Sequence, residues 1–204
     1  MTRTKSHVPG ELERAVKNND INAVQELIQR GTDIYEEDEI GWDALCMAAS
    51  CGHTEIANLL IDAGADVNKG HKLGVTPLMN AAAYGYTEMA QLLLDNKAKI
   101  DAKDGCGWTA LMYSADRNEK QVARLLIENG ADITIRSYSG QNAMILAENG
   151  QHLEIQLLLR HAPEIQREHA EARRIKALHT AAARKQQSLK AATPKVTLIR
   201  RPQS

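Results

Sequence analysis

Apolar residues in this chain recur with two alternating local spacings inside one fixed longer interval. In one stretch Leu45, Ala48 and Ala49 are followed by a break at Gly52 and then by Ile56, Leu59 and Leu60. The second set lies at i, i+3 and i+4, which predicts a helix with one apolar stripe. The first set is built of small residues and predicts a short helix whose neighbours can approach closely. The same arrangement returns every 33 residues, opened each time by Gly41, Gly74, Gly107 or Gly140. A fixed period of this length predicts stacked supersecondary units in place of one central core.

The third unit carries the pattern most fully: Thr76-Pro77-Leu78, Ala81-Ala82, Gly85 and Leu92-Leu93. Pro77 suits a first helical turn, where a missing N–H is harmless. Asp43 stands where Thr76 stands one unit later and predicts a side-chain cap. Gly52 and Gly64 predict left-handed helix ends. Lys97 occupies the place of Gly64 and Gly130, and Asn118 replaces Gly85 at the mid-unit break. The ends are edited. The first unit loses Thr-Pro and gains Glu11, Glu13 and Arg14, as a terminal unit without a neighbour requires. The fifth begins in phase at Gly140 but has Pro163 where Gly is expected. Units are therefore placed at about 10–40, 41–73, 74–106, 107–139 and 140–167, after a disordered lead over 1–9. An Ala/Arg/Lys/Gln-rich helix is expected over 168–190, either a cap or a free tail, and then a disordered tail over 191–204.

These blocks resemble ankyrin repeats over roughly residues 8–167. The resemblance implies an all-α solenoid of helix pairs joined by β-hairpin-like fingers. In that family the concave side, made of fingers and first helices, grips a protein partner. Carried onto this chain, the contact positions are Trp42, Met47, Val75, Tyr84, Trp108, Tyr113, Arg117 and Tyr138. Both tryptophans come directly after a unit-opening Gly in a chain with no Phe, and Trp, Tyr and Arg dominate interface hot spots. The competing reading is that Trp42 and Trp108 pack on the neighbouring finger. The His that comes after Thr-Pro-Leu in the family is replaced by Cys46, Met79, Met112 and Ile145. Asn68, with Leu60 and Asp66 before it, resembles the hairpin asparagines that are hydroxylated in animal members of the family.

Charge adds one feature. From Ala172 onward there are nine Lys/Arg and no Asp or Glu, which leaves 16 basic and 26 acidic residues upstream. Arg173, Arg174, Lys176, Arg184, Lys185, Arg200 and Arg201 form this basic tail. Such a segment suits phosphate contacts, an acidic protein or a nuclear address, but it has no aromatic residue to stack on bases. The remaining chemistry is sparse. Cys46, Cys51 and His53 are close in sequence without paired metal-ligand spacing, and no phosphate-binding loop or HExxH is present. Three cysteines do not make a disulfide scaffold, and the opening residues lack the apolar core of a signal peptide. The expectation is a cytoplasmic or nuclear monomer without catalytic residues, metal or cofactor, which binds a protein and no membrane. The alternatives are a nucleic-acid-associated factor acting through the tail, and a bacterial effector of ankyrin type acting on host proteins.

Overall fold

The computed structural model describes residues 10–192, with side chains described as far as residue 184. The described residues fold as eleven helices and no strand. They run in pairs: α1 Glu11–Lys17 with α2 Ile21–Gln29, α3 Ala44–Cys51 with α4 Thr54–Asp62, and α5 Pro77–Ala83 with α6 Thr87–Asp95. Then come α7 Ala110–Asp116 with α8 Lys120–Glu128, α9 Ala143–Asn149 with α10 Leu153–Arg160, and α11 Ala162–Ala192. The described residues divide into a repeat unit up to Gln166 and a second unit from Arg167.

Helix starts keep to the 33-residue register. Asp43, Thr76, Thr109 and Asn142 each accept a bond from the backbone N–H three residues on, at 2.8, 3.3, 3.4 and 3.0 Å. Each satisfies a donor that the first turn leaves unpaired. Helix breaks keep to it too. Asn19, Gly52, Gly85, Asn118 and Gln151 all have positive φ between the two helices of their pair, and Gly31, Gly64, Lys97 and Gly130 have it after the second. Glycine at 52 serves packing as well: a Cβ there would come within 2.8 Å of the Tyr86 ring from the next unit.

Pro163 breaks this register. Proline fixes φ near −65°, so the left-handed turn that ends the earlier second helices is closed to it. The chain instead re-enters a helix after His161, and α11 starts at Ala162, six residues ahead of the expected 168. Ala162 is buried and Gln166 Nε2 donates to Ala131 O at 2.9 Å, which ties this first part of α11 to the repeats. The lead over 1–9 and the tail from 193 lie outside the described residues; positions 191 and 192 of the expected tail are helical.

The core is a set of rows, one residue per unit. Leu45, Leu78 and Leu111 form one row, Ile56, Met89, Val122 and Ile155 a second, and Leu60, Leu93, Leu126 and Leu159 a third, all essentially buried. Each such side chain contributes about 1.5–3 kcal/mol by leaving water. Between the first helices the buried row is Ala48, Ala81, Ser114 and Ala147. Small contacts shorten the distance between helix axes. Adjacent first helices consequently pack more closely on one another than adjacent second helices do.

Candidate protein-binding face

Each finger is closed by one recurring turn. In Asp38–Trp42, His71–Val75, Asp104–Trp108 and Ser137–Gln141 the first N–H donates to the last carbonyl, at 2.8–3.2 Å. The side chain at the start of the turn supplies a second acceptor. Asp104 Oδ1 takes the N–H of Cys106 and of Trp108, both at 2.8 Å, and Asp38 Oδ1 takes those of Ile40 and Trp42 at 3.0 and 2.8 Å. This local side-chain bonding is what Asp does well in turns. Successive fingers are then joined: Gly105 N–H donates to Leu73 O at 2.7 Å and Tyr138 N–H to Cys106 O at 3.0 Å. The hairpin-like fingers are thus turns joined by isolated backbone bonds and by side chains such as Lys72 and Lys103, which donate to Glu39 O and Arg136 O of the adjacent finger, without a strand ladder among the described residues.

Both tryptophans end such a turn and both are half-buried. Trp42 stacks on His71 of the next finger, with ring centroids 5.7 Å apart and planes 17° apart. Trp108 packs on Tyr113 at 5.2 Å and 58°. The Tyr113 hydroxyl donates to Asp104 Oδ2 at 2.7 Å, and Asp104 is only 7% exposed. Burial, reinforced by that bond, pushes the Tyr113 phenol well above the ordinary tyrosine range. Packing on the neighbouring finger therefore holds for Trp42, whereas Trp108 packs within its own unit.

The other expected contact residues divide by exposure. Tyr84, at the end of α5, is 57% exposed and leans on Tyr86 at 6.1 Å. Tyr138 is 76% exposed on the fourth fingertip. Arg117 is exposed, with its Nε 3.7 Å from Asp116. Val75 is half-buried. Met47 is a correction: it is only 4% exposed, covered at the edge between core and solvent where Tyr113 stands two units later. Among the described residues Trp108–Tyr113 is the one ring contact within the expected set. Sequence reasoning passed over the turn residues Asp38, His71, Asp104 and Ser137. Their signal was present as a polar side chain three residues before every unit-opening Gly. It also passed over Lys69, whose ammonium bonds Glu37 at 2.7 Å and lies 3.8 Å from Asp43.

The remaining positions have structural partners. Asn68 spans to the next unit: its Oδ1 accepts from Lys99 N–H at 2.7 Å and its Nδ2 donates to Lys97 O at 3.4 Å. At two places where the family has His, sulfur bonds the backbone. Cys46 Sγ donates to Lys69 O at 3.5 Å, and Met79 Sδ accepts from Thr76 N–H at 3.4 Å. Burial holds the Cys46 thiol far above its usual range. No three His, Cys, Asp or Glu among the described residues converge as metal ligands. No described helix is long and apolar enough to cross a membrane. In the second unit Arg173, Arg174, Lys176 and Arg184 are exposed on α11; Arg200, Arg201 and the side chain of Lys185 lie outside the described residues.

Comparison with known proteins agrees with this geometry. A family model for ankyrin repeats matches in three copies, over residues 12–104, 74–137 and 101–169. Two curated ankyrin repeat proteins of Rickettsia felis are each 45% identical to the chain over 49 residues. The shared stretch is 24% of this chain and 78% and 74% of the two relatives.

Proposed function

The chain belongs to the ankyrin-repeat family, and on that premise we propose that it is a non-catalytic adaptor, scaffold or inhibitor that holds a protein partner against its fingers and first helices. Ankyrin repeats are in general protein–protein interaction modules. The observation that carries the finer reading is the exposure of Tyr84 and Tyr138, 57% and 76%, in a chain with only five tyrosines. Large amphipathic rings held out from a rigid scaffold are the usual anchors of an interface, since they cost little ordering entropy on binding. Trp42 and Trp108 are half-buried against His71 and Tyr113 and do not stand free of the surface.

The test is affinity capture from native-cell lysate with the full chain and two folded variants. Tyr84→Ala/Tyr138→Ala should lose a partner that the wild type retains. Asn58→Ala/Arg124→Ala, which alters exposed polar positions on two second helices, should retain it. Retention by the tyrosine variant and loss by the second-helix variant would overturn the proposal.

A further inference from the structure

The fourth unit shows what the second unit lacks. In the fourth, Trp108 and, from the turn that leads into it, Asp104 flank Tyr113, whose hydroxyl donates to the Asp104 carboxylate while its ring packs on the indole. Sixty-six residues earlier Asp38 and Trp42 hold the same places in an equivalent turn, with Oδ1 spent on the same two N–H groups. The residue in the place of Tyr113 is Met47, which has neither a ring nor a donor. A cavity lies here, lined by Asp38, Trp42 and Met47 together with Glu13, Glu36 and Glu37.

We infer that this cavity is a receptor for an arginine side chain of the partner, which takes the place that Tyr113 fills in the fourth unit. The inference rests on the protein-binding reading and names the chemistry of one anchor. A group entering here needs a flat face for Trp42 and donors for Asp38, and the fourth unit shows a side chain doing both. Charge decides between a phenol and a cation. Among the described residues five that line it are Glu or Asp and none is Lys, Arg or His. Among the described residues Lys17 pairs with Glu13, and Lys69 pairs with Glu37 and lies near Asp43, two cations against five lining carboxylates. Arginine meets the geometry better than lysine, because its planar guanidinium stacks on an indole and presents donors along two edges.

The test uses the full chain and N-acetyl-arginine methylamide as the probe, followed through the two tryptophan indole N–H signals by NMR. Single Trp→Phe substitutions assign the two signals. The arginine probe should move the Trp42 signal saturably and leave that of Trp108 in place. The neutral isostere N-acetyl-citrulline methylamide should bind at least tenfold more weakly. Asp38→Asn keeps an oxygen for the turn but removes the charge, and should weaken the arginine probe at least tenfold. Met47→Tyr, checked for folding by circular dichroism, should fill the cavity and abolish the response. Equal binding of citrulline, tighter binding of N-acetyl-tyrosine methylamide, or undiminished binding to folded Met47→Tyr would each overturn the assignment. The probe needs no native partner. Its failure would leave capture through Tyr84 and Tyr138 standing, and failure of capture with the probe still bound would remove the function and leave the pocket.

Discussion

Lys97 and Gly130 occupy the same place in successive units and isolate the cost of a backbone conformation. Lys97 sits at φ 67° and Gly130 at φ 91°. A left-handed residue with a Cβ costs about 1–2 kcal/mol, while glycine adds roughly 0.4–1 kcal/mol of chain entropy to the unfolded state. Lys97→Gly should therefore stabilise the repeats by about 0.5–1 kcal/mol. The Lys97 side chain is exposed, and its backbone N–H donates to Leu94 O while its carbonyl accepts from Asn68 Nδ2, both of which the substitution keeps. Gly130→Ala is the mirror experiment. A Cβ there would meet nothing within 4 Å, so only the backbone penalty remains. A loss of about 0.5–1.5 kcal/mol is expected. For a domain of this size each kcal/mol moves Tm by about 2–4 °C. Thermal and urea unfolding monitored by circular dichroism should give opposite shifts for the two variants. A fall in stability of about 1 kcal/mol or more for Lys97→Gly would refute the reasoning, because the lysine side chain would then do more than the conformation costs.

Burial and ionisation lead to three more expected outcomes. Leu93 is fully buried and Leu92 only partly, so Leu93→Ala should cost about 2–5 kcal/mol and Leu92→Ala distinctly less; equal losses would place the α6 stripe wrongly. The Tyr113 phenol keeps its proton above the ordinary tyrosine value near 10. Its contribution to stability is thus intact below that pH and is lost as the pH climbs through the raised value. Tyr113→Phe should remove that part of the alkaline slope in a stability–pH profile and show as one fewer late-ionising tyrosine by ultraviolet titration. Cys106 is exposed and Cys46 is buried with its thiol held protonated, so at neutral pH a disulfide reagent should modify Cys106 fast and Cys46 only on unfolding.

The fold was legible because every local signal repeated. Asp43, Thr76, Thr109 and Asn142 cap in phase, and even the awkward Lys97 and Asn118 adopt the left-handed conformation that their positions require. Pro163 could be read as a break, but its consequence depended on the backbone alternatives left open, and the chain chose an immediate helix. The surface was less legible. Met47 and Tyr113 share one register position, yet one is buried and the other reaches a carboxylate, since that position lies at the edge between core and solvent. Side-chain length decides there, and the period alone cannot weigh it. The half-burial of Trp42 and Trp108 has the same origin. Each indole is covered by whichever ring stands beside it, His71 in one unit and Tyr113 in the other.

Site-specific photo-crosslinking tests the central claim most directly. A benzophenone amino acid would replace Tyr84 or Tyr138 on the proposed face, and Asn58 or Arg124 on the second helices. After irradiation in native cells, the account predicts one protein partner covalently joined to the first two positions and absent from the last two. Partner crosslinks confined to positions 58 and 124 would contradict it and move the interface to the second helices.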